Sequence, residues 1–130
     1  MRDLCYNTNA MAKIILVVDD ELGYRDMLQM DLAAQGFKVI TAGGGVEALD
    51  ILKEEKVDLL LTDMKMPQMD GLDTVIAAKK HHPGIPIVLM TGYAVEDRVE
   101  RALRLKATTC LKKPFDIEEL AKIIHDALPA

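Results

Sequence analysis

Residues 57–71 read VDLLLTDMKMPQMDG. The first six are short, mostly apolar and stop at an acid, Asp63, as expected of a strand buried on both faces of a sheet. Met66-Pro67 and Asp70-Gly71 then punctuate a loop. Leu72, Val75 and Ile76 open a helical stripe that ends near His81-His82-Pro83-Gly84. Strand, loop and helix follow one another closely, which is the unit from which parallel sheets are built.

The same unit recurs on either side. Upstream, residues 13–18 (KIILVV) form an apolar, β-branched run that ends at Asp19-Asp20. Leu22, Tyr24, Met27, Leu28 and Leu32 follow at helical spacing, and Gly36 stops the helix. Residues 37–41 (FKVIT) predict a second strand. Gly43-Gly44-Gly45 reads as a flexible surface loop, and residues 46–55 carry a helical stripe through Ala48, Leu49 and Leu52. Downstream, residues 85–90 (IPIVLM) predict a fourth strand ending at Thr91-Gly92. Val95, Val99, Ala102 and Leu103 mark a fourth helix. Residues 108–111 form a weak fifth strand before Lys112-Lys113-Pro114-Phe115. Asp116 and Glu119 have capping-box spacing for a last helix with Ile117, Leu120, Ala121, Ile124 and Leu128 on its core face. Five strand–helix alternations predict one parallel sheet with helices on both sides. No repeat, linker or low-complexity segment interrupts them.

The 130 residues suit one domain. We expect residues 1–12 to be an extension outside the fold and residues 13–128 to be the domain. The formal charge of −5, from 21 acids against 16 bases, argues against direct nucleic-acid binding, which calls for a basic face. No apolar stretch is long enough to span a bilayer, and the first ten residues lack the apolar core of a secretory signal. Cys5 and Cys110 follow no metal or disulfide spacing, which predicts reduced thiols and a cytoplasmic location.

Functional side chains gather at the strand ends. Asp19 and Asp20 follow the first strand, Asp63 the third, Thr91 the fourth and Lys113 the fifth. Open α/β sheets bind ligands outside the carboxyl ends of their strands. Carboxylates brought close repel one another and take up protons. A hard divalent cation relieves this, and Mg²⁺ in particular takes one or two carboxylates while keeping places for water and phosphate oxygens. It also neutralises charge on a transferring phosphoryl group. A carboxylate beside it can attack phosphorus and form an acyl phosphate, and a hydroxyl and an ammonium suit the oxygens of that product.

VVDDE, LLLTDMKMPQMDG, VLMTG and KKPF, in that order, resemble the receiver domain of two-component response regulators, the CheY-like family. The resemblance runs from Lys13 to about Leu128. It implies a flavodoxin-like (βα)5 three-layer sandwich with parallel strand order 2-1-3-4-5. It implies that Asp63 accepts the phosphoryl group and that Asp20 ligates Mg²⁺ (or a substituting Mn²⁺) directly. Asp19 would act mainly through a metal-bound water, and Lys65 would offer its backbone carbonyl. Thr91 and Lys113 would hold the phosphoryl oxygens, and Pro114 would follow a cis bond. The expected donor is a histidine kinase or a phosphotransfer protein. The expected output is an attached domain, a partner or a homodimer, reached through the face of the fourth helix, fifth strand and fifth helix. One position departs: Cys110 stands where many receivers carry the Tyr or Phe whose rotamer follows phosphorylation.

Blander readings exist for each feature. Asp19-Asp20 suits a helix cap, and Thr91-Gly92 suits a turn. The glycine run lacks the Lys-Ser/Thr of a phosphate loop. His81 and His82 are adjacent and do not share a helix face. The eight methionines suit a core, and Arg98, Arg101 and Arg104 suit either a partner face or a solvated one. Two rival functions remain. A Mg²⁺-dependent phosphatase acting through aspartyl phosphate usually carries a second acid two residues after the nucleophile, where this chain has Lys65. A degenerate receiver that only binds partners would not need the acids, Thr91 and Lys113.

Overall fold

The computed structural model describes residues 12–92, 100, 101, 104 and 109–129. Its elements in chain order are β1 (Ile14–Val18), α1 (Leu22–Ala34), β2 (Lys38–Ala42), α2 (Gly45–Glu54), β3 (Leu59–Asp63), α3 (Gly71–His81), β4 (Ile87–Thr91), β5 (Thr109–Lys112) and α4 (Ile117–Ala127). The five strands form one sheet in the order β2-β1-β3-β4-β5. Every neighbouring pair is parallel. This is the flavodoxin-like order.

The apolar strand runs make sense once both sheet faces are covered. Side chains alternate across a strand. Ile15 and Val17 of β1 therefore pack with Leu28 and Leu32 of α1 and Leu120 and Ile124 of α4. Leu16 and Val18 point the other way, into a second core with Ala48 and Leu52 of α2 and Leu72, Val75 and Ala78 of α3. Central strands buried on both sides have no polar face to show in sequence.

The observed boundaries differ from the expected ones by one or two residues. Ladder pairing in β3 begins at Leu59, because Asp58 serves as a strand-end clamp: its Oδ2 accepts from the Ile14 N–H at 2.7 Å. Ile85-Pro86 precede β4, where the missing proline N–H suits an end position. In α1 the buried seam is Leu28 and Leu32 with Tyr24 half-buried, whereas Leu22 and Met27 are exposed. They share the helical spacing but lie round the cylinder from the seam. The helix ends as expected, with Gly36 at φ +96°. For α4, Asp116 Oδ1 accepts from the Glu119 N–H at 2.8 Å.

The glycine run is tied down rather than loose. Gly43 donates its N–H to Glu47 at 2.8 Å. Gly45 is buried and opens α2, and a Cβ there would lie 2.6 Å from Thr74 Oγ1 and 2.8 Å from Met69 Cγ. His81 ends α3 and His82 caps it, both exposed. Arg101 and Arg104 are helical and exposed. Cys5, Arg98, Thr108 and the stripe of Val95, Val99, Ala102 and Leu103 lie outside the described residues.

The β3–α3 loop holds one strained residue. Gln68 is exposed and has φ +67°, a left-handed conformation that costs an L-residue roughly 1–2 kcal/mol and glycine very little. We expect Gln68→Gly to stabilise the chain by about 0.5–1 kcal/mol after glycine's greater unfolded entropy is counted. Urea unfolding is the measurement; a lower midpoint would show that the Gln68 side chain contributes more than its backbone costs.

Candidate functional site

Strand register assembles the site. Val18 pairs with Thr62, so Asp19 and Asp63 leave adjacent strands at the same level. Asp63 pairs with Met90, and Thr91 with Lys112. Thr91 therefore stands one step beyond the level of Asp63 and Lys113 two, both on its far side from Asp19.

Two of the acids are taken out of water. Asp19 is buried and Asp63 nearly so, whereas Asp20 is exposed. Carboxylate oxygens of the three lie within 4.8 Å of one another. Asp19 Oδ1 accepts from the Glu21 N–H at 2.9 Å. The Arg25 guanidinium donates to the Asp19 carbonyl at 2.7 Å and pins the loop between β1 and α1. Asp63 Oδ1 accepts from the Met64 N–H at 3.0 Å. The Lys113 ammonium bridges the two buried acids, 3.3 Å from Asp63 Oδ1 and 3.5 Å from Asp19 Oδ2. The Lys113 N–H donates to the Thr91 carbonyl at 2.7 Å, which ties the ends of β4 and β5 together. The Lys113–Pro114 bond is cis.

Burial pushes the Asp63 carboxyl above the usual carboxylate range. Lys113 pulls it back down, Asp19 pushes it further up, and hydrogen bonds from Lys113 and Met64 lower it. A group held this way gains from an added cation. The donor set is also the right chemistry for a hard one: oxygen ligands only, two sheltered and one facing water. Beside Asp63 lies a pocket of about 180 Å³ lined by Asp63, Met64, Lys65, Thr91, Gly92 and Lys113. It is open to solvent and holds an acid, a hydroxyl and an ammonium at one mouth. That arrangement suits a small anionic group carried on the Asp63 oxygen.

Cys110 sits on β5 opposite Leu89, half-buried against the α2–α3 core. Burial raises its thiol pKa, which keeps it a thiol. Sequence reasoning passed over Tyr24. Its ring lies 4.4 Å from the Lys113 ammonium and edge-on to Phe115, with centroids 6.5 Å apart. Its phenol is pushed up to about 12, by burial first and then by Asp19, Asp63 and Glu21. An aromatic residue on the first turn of a helix that starts beside two site acids was the one signal in the sequence.

A family model described as the response regulator receiver domain matches residues 15–125. Sporulation initiation phosphotransferase F of Bacillus subtilis is 37% identical over 119 residues, covering 92% of this chain and 96% of that protein. The regulatory protein AtoC of Escherichia coli is 40% identical over 114 residues, but those make up only 25% of its length. Among solved structures, a CheY-like receiver domain protein from Methanospirillum hungatei aligns with TM-score 0.85 at 30% identity, covering 88% of this chain and 92% of that one. A receiver domain protein from Clostridium thermocellum aligns with TM-score 0.84 at 32% identity, covering 88% and 93%.

Proposed function

Because the chain belongs to the response regulator receiver domain family and has the phosphoacceptor role of that family, we propose that Asp63 is the residue that carries the phosphoryl group. The observation that supports this most is the triple contact at the end of β3. Asp63 is sheltered, lies within reach of two further acids, and is paired with Lys113 at 3.3 Å. The domain on this reading is residues 13–128, with residues 1–12 an extension.

The chemistry follows from the residues. A carboxylate oxygen of Asp63 attacks phosphorus, the bond from phosphorus to the donor nitrogen or oxygen breaks, and the leaving group keeps that electron pair. Asp63 is left as a mixed anhydride. The Lys113 ammonium, already between Asp63 and Asp19, moves its contact from the carboxylate to a phosphoryl oxygen. The Thr91 hydroxyl donates to another. Asp19, Asp20 and Asp63, with the Lys65 carbonyl, would hold Mg²⁺, which neutralises charge on the group in transfer. The donor would be a phosphohistidine of a kinase or phosphotransfer protein in the cytoplasm. The chain spans about a quarter of regulators such as AtoC, so an attached or separate output partner is part of the same proposal. On this reading the chain assists its own phosphorylation and hydrolysis and turns over no other substrate. With Cys110 in place of an aromatic switch residue, the conformational change would be carried mainly by Thr91 and the backbone of residues 92–95, and residues 93–95 lie outside the described residues.

Incubation with acetyl phosphate and Mg²⁺, followed by intact-mass measurement, tests the proposal. We expect one stable phosphoryl adduct. Hydrolysis of an unrelated phosphoester would favour a phosphatase, and no adduct would favour a partner-binding receiver without phosphotransfer. Asp20→Ala should weaken Mg²⁺ binding by about tenfold or more, the scale that even outer-shell losses reach, and block adduct formation in the mass assay. Unchanged affinity in a Mg²⁺ titration would remove Asp20 from the ligand set.

A further inference from the structure

The geometry points to Tyr24 as a positioning residue for Lys113: its ring face holds the ammonium at the height where it meets Asp63 and, later, the phosphoryl oxygen. This rests on the phosphoacceptor reading above and adds a residue to it.

The Lys113 side chain is only a quarter exposed, and three groups surround its ammonium. Asp63 lies at 3.3 Å, Asp19 at 3.5 Å and the Tyr24 ring centroid at 4.4 Å. The carboxylates attract the charge but do not fix its direction, since either can be approached from several angles. The ring supplies the missing wall, because a cation is drawn to an aromatic face and excluded from the volume behind it. The ring is itself braced. Phe115 meets it edge-on at 71°, a favoured aromatic contact. Phe115 lies two residues after Lys113 on the same strand-to-helix connection, so one connection carries both the lysine and the ring that steadies its partner. Arg25, the neighbour of Tyr24 on α1, anchors that helix start to the Asp19 carbonyl at 2.7 Å. The long lysine stem has many rotamers, and the ring removes those that swing the ammonium away from Asp63. Phosphorylation requires the ammonium to shift to the new oxygens without leaving the site, and a ring face permits sliding where a third ion pair would resist it.

Two variants separate the ring from its hydroxyl. Tyr24→Phe keeps the face, and Tyr24→Leu removes it. Side-chain NMR of Lys113 is the direct readout. We expect its terminal methylene protons to be shifted upfield by the ring current in wild type and in Tyr24→Phe, and to return to ordinary values in Tyr24→Leu. Initial rates of phosphoryl uptake from acetyl phosphate should fall roughly fivefold in Tyr24→Leu and stay within about twofold of wild type in Tyr24→Phe. Ordinary Lys113 shifts in the wild-type protein would overturn the inference without any variant, even if Tyr24→Leu failed to fold. Equal loss of uptake in Tyr24→Phe would assign the effect to the hydroxyl and overturn it as well. The NMR arm needs no phosphorylation, so it tells a failure of the ring-face inference from a failure of Asp63 as acceptor.

Discussion

Asp63→Asn is expected to abolish phosphoryl uptake completely while raising the stability of the metal-free protein near neutral pH. The substitution keeps the shape and removes the nucleophile. The stability effect follows from the direction in which the carboxyl is shifted. Burial, the largest influence, and Asp19 raise it above its ordinary 3.8, and Lys113 only partly opposes them. The folded chain therefore holds that proton more tightly than the unfolded chain does. Stability from this group is full below the ordinary carboxylate value and is lost as pH rises through the raised one. Above that point the ionised carboxylate lowers stability, and asparagine carries no such charge. We expect the melting temperature of the variant to exceed that of wild type by a few degrees at pH 7 without divalent cation. The gap should close as pH falls below about 4. Added Mg²⁺ should stabilise wild type more than the variant, since a ligand acts through the site it binds. Mass measurement after acetyl phosphate treatment and thermal unfolding across pH are the two tests. A variant that gains the phosphoryl mass at the wild-type level would displace Asp63 as acceptor. One that melts lower at pH 7 would show that the Lys113 pair outweighs burial and repulsion.

The second large effect is expected from Gly71→Ala, which should destabilise the chain by about 1–3 kcal/mol, the usual range for overpacking a close-fitted position. The reason is contact rather than backbone conformation. Gly71 opens α3 and passes directly under the Asp63 loop. A Cβ there would lie 2.8 Å from Met64 Cα and 2.9 Å from the Asp63 carbonyl. Both are main-chain atoms and cannot rotate aside. The Gly71 N–H also donates to the Met64 carbonyl at 2.8 Å, so the two segments cannot separate without losing that bond. Relief must come from moving the peptide that carries Asp63, which would disturb the 3.3 Å contact with Lys113. Phosphoryl uptake should therefore fall together with stability. Gly84→Ala is the control: nothing lies within 4 Å of the place its methyl group would take, and its stability should hold or rise slightly through lost unfolded-state entropy. Urea midpoints for both variants decide the matter. A Gly71→Ala chain within about 0.5 kcal/mol of wild type, the range of ordinary surface changes, would show that the loop yields freely.

These two positions also show where reading the sequence succeeds and where it stops. The five strand runs, their helices and the acids at their ends are local patterns, set by neighbours two, three and four residues apart. The central runs β1, β3 and β4 were legible because each is apolar enough to demand burial on both sides and gives way to a polar residue, whereas the edge strands β2 and β5 are more mixed, with Lys38 and Lys112 exposed. Asp19, Asp20, Asp63, Thr91 and Lys113 stood out for that reason, and the family resemblance supplied the strand order that patterning alone left open. Other features depend on residues distant in the chain. Nothing in the sequence near Leu22 or Met27 says that the seam of α1 runs through Leu28 and Leu32 instead, because spacing gives a stripe but the sheet chooses which side of it to cover. The glycine run looked like a loose loop, and only the approach of Thr74 and Met69 makes Gly45 a packing position. Tyr24 looked like one more half-buried helix residue until α1, β5 and the connection into α4 were laid against each other. Local sequence determined which segments form strands and helices and which chemical groups stand at their ends. Only the tertiary structure decided the distances among those groups, because strand register and helix packing join residues whose contacts no short-range pattern encodes.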